Sequence, residues 1–300
     1  MGCEFGAIFS SSSAALAWCA KTGWLQKQPA FTFASMTSPS QSFPMSLPAF
    51  GFALGKTSGH MARSMMLSEM LCFLQHPGIK EPKEVKKLIV EENLLGKPTF
   101  SSRVKSLHHL VQLYGLDASL PLFRVFQQFS ALDPSSVPLM AATCVFCRDP
   151  QFRHSFSLIE ALRVGETLPR ERMEMHLEEA FPNRFSTAMK KSLAQNVNTS
   201  WTVCGHLAGR RKKTRTEPNP SLLATTYAMF AGFLAGFRGD ILVHSVFGRL
   251  AGVAPQQVIS HLKDASRHGW VLLKHSGGVT EIDFSPLLSE QELSLLHGAA

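Results

Sequence analysis

Four groups of residues in this chain have types and spacings that could do chemistry. Cys144-Val145-Phe146-Cys147 has the separation of two zinc ligands. No second pair follows at zinc-ribbon distance, and the stretch lies inside an apolar helical run, so both thiols read as core; a metal would have to recruit His154, Cys204 or His206 from further away. Gly51-Phe52-Ala53-Leu54-Gly55-Lys56-Thr57 looks like a phosphate-cradling P-loop. That motif needs four residues between its glycines and this stretch has three, with Phe50 at the required position. His108-His109 are neighbours on a helix and point about 100° apart, so they do not face one substrate together. Glu91-Glu92 and Glu178-Glu179 read as solvated helix faces, and spacing offers no Ser–His–Asp set. No catalytic constellation emerges, and the expectation is a non-enzymatic protein without cofactor or metal.

The fourth group is Gly209-Arg210-Arg211-Lys212-Lys213-Thr214-Arg215, in which five of the six residues from Arg210 to Arg215 are cationic. Trp201, two glycines and His206 lead into it, and Asn196, Asn198, Thr199 and Ser200 add short polar groups just before. Glycine allows close backbone approach to a phosphate, and arginine grips one bidentately. Arg210, Arg211, Lys212, Lys213 and Arg215 are therefore candidate phosphate contacts. The plainer reading is a surface linker or a localisation-type basic tract.

The bulk composition agrees with a concentrated charge. Charged residues are only 17% of the 300, yet the net charge is +8, which favours polyanionic partners. Apolar residues make up 45%, enough for real cores. The six cysteines are irregularly spaced and read as reduced thiols of a cytoplasmic protein. Residues 218–237 carry no charge, but the apolar run is shorter than a membrane span and is interrupted by Thr225, Thr226 and Tyr227, so a buried core helix is expected. Gly232 and Gly236 permit close helix packing.

These residues must be positioned by a mainly α fold. Residues 1–55 hold only Glu4, Lys21 and Lys27 as charges and read as disordered or loosely docked. Helices are expected over 61–74, 81–95 and from Ser101 or Ser102 to 114, the last with Val104, Leu107, Val111 and Tyr114 inward and Arg103, Lys105, His108 and His109 outward. Such a helix, tight turn and helix is either a helix-turn-helix element or an ordinary helical bundle. Further helices follow over 120–132, 137–147, 170–180 and 183–196. The last part reads as helices over 222–237, 241–250 and 256–268, then two strands around Ser276-Gly277-Gly278, the order of a winged-helix-like domain with a small β-hairpin. Val258, Ile259, Leu262 and Ala265 face its core, leaving Gln256, Gln257, Ser260, His261, Lys263 and Arg267 to read DNA in the major groove. The expected divisions are 1–55, a helical domain 56–132, a helical middle region 133–200, a basic arm 201–220 and the winged-helix-like part 221–300.

Gly59-His60-Met61-Ala62-Arg63-Ser64-Met65-Met66-Leu67-Ser68-Glu69, Val90-Glu91-Glu92-Asn93-Leu94-Leu95-Gly96-Lys97 and Thr99-Phe100-Ser101-Ser102-Arg103 resemble the BrxA family of BREX anti-phage defence systems. The resemblance implies a helical DNA-binding protein with helix-turn-helix elements, working beside methyltransferase and ATPase defence components. It places DNA contact on Arg103, Lys105 and the helix start at Ser101–Ser102. The expected function is that of a non-enzymatic accessory binding double-stranded DNA; the alternative is a protein–protein adaptor that docks through its winged helix.

Overall fold

A computed structural model describes residues 47–55, 58–76, 78 and 81–298, which are mainly helical with two small antiparallel sheets. Residues 1–46 lie outside the described residues, as do Lys56 and Thr57 of the P-loop-like stretch. Leu47, Phe50 and Phe52 are buried, so the fold starts before the boundary expected at residue 56. Leu47–Phe50 is a 3-10 turn, and among the described residues no strand feeds the P-loop-like glycines.

The helix expected from residue 61 begins later, as α1 (Leu67–Leu74), after a 3-10 turn at Gly59–Met61. Tertiary hydrogen bonds account for the difference. The Met65 N–H donates to Ser200 Oγ at 2.9 Å, Tyr114 donates its hydroxyl to the Met65 carbonyl at 2.6 Å, and Met66 takes a left-handed φ of 50°. Next, α2 (Pro82–Lys86) runs into a π-helical turn at Lys87–Glu91. Asn93, at φ 56°, ends it by accepting the Lys97 N–H at 2.8 Å.

In α3 (Phe100–Tyr114) the cap is Thr99 rather than Ser101 or Ser102; it accepts the Ser102 N–H at 3.1 Å, and Ser102 Oγ accepts the Thr99 N–H in return. Its buried face is Ser106, Leu110, Leu113 and Tyr114, while Val104 and Val111 are 41% and 39% exposed. Apolar residues occupy both candidate stripes, and the half-buried Arg103 selects between them. Its guanidinium donates to the carbonyls of Val90 and Lys97, each at 3.3 Å, so the expected outward cation is turned inward.

The middle of the molecule follows as α4 (Pro121–Leu132), α5 (Val137–Arg148), α6 (Pro150–Ala161), β1 (Thr167–Leu168), α7 (Arg170–Ala180), α8 (Thr187–Val203), β2 (Leu207–Ala208) and β3 (Lys213–Arg215). Then come α9 (Leu222–Leu234), α10 (Gly239–Val243), α11 (Val246–Ala251), α12 (Pro255–Arg267), β4 (Leu272–Ser276), β5 (Val279–Asp283) and α13 (Glu290–His297). The helix expected at 241–250 is thus two short ones, because Ser245 caps α11 by accepting the Phe247 N–H at 3.3 Å. β4 and β5 pair from Leu272↔Asp283 to Ser276↔Val279, and Gly277 and Gly278 take the positive φ values, 60° and 80°, of the tight hairpin turn.

Every residue of α9 from Leu223 to Leu234 is buried, and the helix packs on α4, α5, α11 and α12 at once. Each fully buried Leu or Phe there contributes roughly 1.5–3 kcal/mol of transfer free energy. The Tyr227 hydroxyl donates to the Leu122 carbonyl at 2.9 Å, and Arg124 forms a two-pronged ion pair with Glu292 that ties α13 to α4. Gly232 is needed for this packing, since a Cβ there would sit 2.6 Å from Leu242. Gly236 has open space around it and serves the turn after the helix at φ 98°. The described residues from Leu47 onward belong to one compact unit, in which α9 packs on α4 and α5 before it in the chain and on α11 and α12 after it. Among the described residues no helix is long and apolar enough to cross a membrane.

Candidate nucleic-acid interface

The basic run is no flexible arm. β3 is the central strand of the sheet β1-β3-β2, with Leu168 opposite Lys213 and Ala208 opposite Thr214. Gly209 to Lys212 form the tip of the β2–β3 hairpin. Gly209 has φ 94°, and a Cβ there would lie 2.1 Å from the Lys212 carbonyl oxygen, so only glycine makes this turn.

Behind the tip, Trp201 is fully buried at the end of α8, stacked on Phe152 at 4.1 Å and donating its indole N–H to Ser155 at 2.8 Å. His206 is equally buried, and its Nε2 lies 2.8 Å from the Leu250 carbonyl. Burial drives the His206 pKa down to about 4. Both residues look on paper like part of a binding surface; their apolar rings instead root the hairpin in the core.

The hairpin divides the cationic residues. Arg210, Arg211 and Lys212 are exposed and have no ion-pair partner among the described residues. Lys213 is half-buried and donates to the Gly209 carbonyl at 2.8 Å. Arg215 points into the structure, its guanidinium donating to the carbonyls of Ile159 at 3.1 Å, His206 at 3.2 Å and Thr216. It satisfies backbone acceptors at a chain crossing, and that role replaces the phosphate contact expected of it.

The tip closes one side of a groove of about 490 Å³. Arg210, Arg211 and Lys213 line it from the hairpin, and Arg170 lines it from the start of α7. Glu174 at 2.5 Å and Glu171 at 2.7 Å partly neutralise Arg170. Gln195, Asn196, Asn198 and Thr199 of α8 and Leu168 of β1 complete the lining. Asn196 is committed, donating its amide to the His60 carbonyl at 2.9 Å. Asn198 is 3% exposed, and its Oδ1 is buried with no hydrogen-bond partner among the described residues. Arg170 was not singled out in the sequence because its neighbours in the groove come from β3 and α8, far along the chain; the α8 polar cluster beside the cationic run was the one legible signal.

The expected reading face of α12 is only partly available. Gln256, Gln257, Ser260 and Lys263 are exposed, whereas Ile259, expected in the core, is half-buried. His261 is half-buried against Thr225 Oγ1 at 2.8 Å, with burial lowering its pKa. Arg267 is exposed but paired with Asp264 at 2.5 Å. Lys105 is exposed on α3, while Arg103 is held by carbonyls as described. None of these residues lines the groove, so the structure does not join them with the hairpin tip into one site.

The fold also builds a Ser–His–Asp arrangement that spacing did not reveal. His60 Nδ1 lies 3.0 Å from Asp149 Oδ2 and His60 Nε2 lies 2.9 Å from Ser200 Oγ. The three residues are 0%, 2% and 0% exposed. Ser200 Oγ is also held by the Met65 N–H and the Asn196 carbonyl, and Asp149 caps α6 through the Phe152 N–H at 3.0 Å. Enclosed and saturated in this way, the set clamps three segments and offers no nucleophile to a substrate. Cys144 and Cys147 are likewise fully buried, with desolvation raising the Cys144 pKa to about 11.

Set against family models and against curated proteins, the chain matches none.

Proposed function

We propose that this chain binds nucleic acid, double-stranded DNA first, through the hairpin tip and the groove behind it. The observation that carries the reading is the convergence of Arg170, Arg210, Arg211 and Lys213 on one groove beside side-chain amides. Arginine forks and lysine attract phosphates, and short polar groups fix their orientation. The helices and hairpin of α9 to β5 follow the order of a winged helix, and Gln256, Gln257, Ser260 and Lys263 on α12 are exposed for base-edge contact. An accessory role beside defence enzymes rests on the BrxA resemblance alone. No catalytic role is ascribed to the chain.

The test is binding of a labelled duplex across a salt series, for the wild type and for the triple variant R210A/R211A/K212A. Three phosphates neutralised by the tip correspond to a log–log slope of about −2.7. The wild type should show at least that steepness, and the variant should lose most of it while keeping its unfolding midpoint. Binding that ignores salt, or survives in the variant unchanged, would overturn the reading.

One observation favours the adaptor as a second reading. Phe100, Val104 and Val111 are exposed along one side of α3, at 66%, 41% and 39%, an apolar stripe of the kind that docks partners. An adaptor would retain partner capture in the tip variant.

A further inference from the structure

The residues that line the groove ask for different things. Arg210 and Arg211 are exposed cations that accept nothing and seek an anion. Asn198 lines the groove, and its side-chain carbonyl is a buried acceptor without a donor among the described residues, a group that native structures seldom leave unpaired. A phosphodiester of a strand answers only the first demand, because its ionised oxygens carry no proton to donate to that carbonyl. A ligand carrying an anion at one end and an N–H donor at the other answers both. The groove volume, about 490 Å³, falls in the range of small-ligand sites.

Resting on the nucleic-acid reading above, we propose that the groove receives one unstacked nucleotide, its phosphate held by Arg210 and Arg211 and its base edge met by Asn198. A carboxamide presents an acceptor and a donor side by side, which matches the N6 amine and N7 of adenine. Gln195 sits three residues earlier on α8, lines the same groove and is exposed, so a second amide stands beside the first. A base inside a duplex stack cannot reach an atom this deeply buried, so the nucleotide enters from an unpaired position or swings out of the stack. The same chemistry has two sources, a nucleotide within a strand and a free nucleotide.

The experiment compares the full chain on a labelled duplex and on the same duplex with one extrahelical adenine, with deoxyadenosine monophosphate as competitor. Wild-type protein should prefer the bulged duplex by about tenfold, the discrimination of one good bidentate amide contact. Asn198→Leu keeps the branched outline of the side chain and replaces both amide atoms with methyl groups, so it should lose the preference, with its unfolding midpoint reporting that the fold is retained. The exposed Gln195→Ala, which has little to lose in stability, should lower the preference as well. Displacement of the bulged probe by the monophosphate assigns the groove to the nucleotide itself; failure to displace it, with the preference intact, assigns it to a nucleotide held by its strand. Equal binding of the two duplexes, or a preference unchanged in both variants, would overturn the inference while leaving duplex binding standing. Absence of binding to either duplex would overturn the nucleic-acid reading along with it.

Discussion

Asp149 shows what one residue contributes once the fold has enclosed it. Burial alone would push its carboxyl pKa up, but the charge and hydrogen bond of His60, the Ser58 hydroxyl and the Phe152 N–H outweigh that and hold it below its ordinary value. A carboxylate depressed in the folded state stabilises the protein above its unfolded pKa, about 3.9, and that contribution is lost as pH falls through the lower folded value. Asp149→Asn breaks the pair while leaving a side-chain oxygen to cap α6. It should cost about 3–5 kcal/mol at pH near 7, the usual loss when one member of a buried pair is removed, and it should flatten the acid limb of the stability profile. Denaturant midpoints at neutral and acid pH check this; equal stability of variant and wild type at neutral pH would refute the clamp. Nothing in the sequence marks His60, Asp149 and Ser200 as partners, because three elements must pack before they meet.

At the scale of the element, the β2–β3 hairpin turns a run of like charges into a shaped surface. Neighbouring cations repel in an unstructured arm, whereas here Trp201 and His206 anchor the base and the turn at Gly209 fixes the tip. Gly209→Ala should therefore weaken duplex binding several-fold and cost about 1–3 kcal/mol locally, the price of a strained positive φ joined to a clash with the Lys212 carbonyl. Binding and hydrogen exchange across residues 205–216 are the readouts. Full affinity with unchanged exchange would show that the tip needs no fixed shape. The charge cluster was plain in the sequence, and so were the short polar groups of α8. The strand pairing was not, because β2 and β3 have only two and three residues and their pattern is too short to read.

On the scale of the whole molecule, α9 belongs to every neighbour it touches. A fragment of residues 221–300 would expose a helix buried along nearly its whole length and lose the bond from Tyr227 to the Leu122 carbonyl. We expect that fragment to lack a cooperative unfolding transition, and the full chain to unfold in a single one. Calorimetry of both tests this, and a stable fragment would restore an independent C-terminal domain.

The sequence by itself determined the helical class, the exact helix at Arg170–Ala180, the terminal hairpin at its two glycines and the place of highest charge. These are local properties, set by periodicity, capping, turn geometry and composition. Tertiary structure decided which stripe of α3 is buried, that Arg103 and Arg215 satisfy backbone carbonyls, and that Trp201 and His206 belong to the core. It also decided that Arg170, Asn198 and Arg210 share a groove. The physical reason is that burial and hydrogen-bond demand are set by neighbours distant in the chain. An arginine beside an unpaired carbonyl folds inward whatever its sequence context, and one at the tip of a hairpin remains free to meet a phosphate.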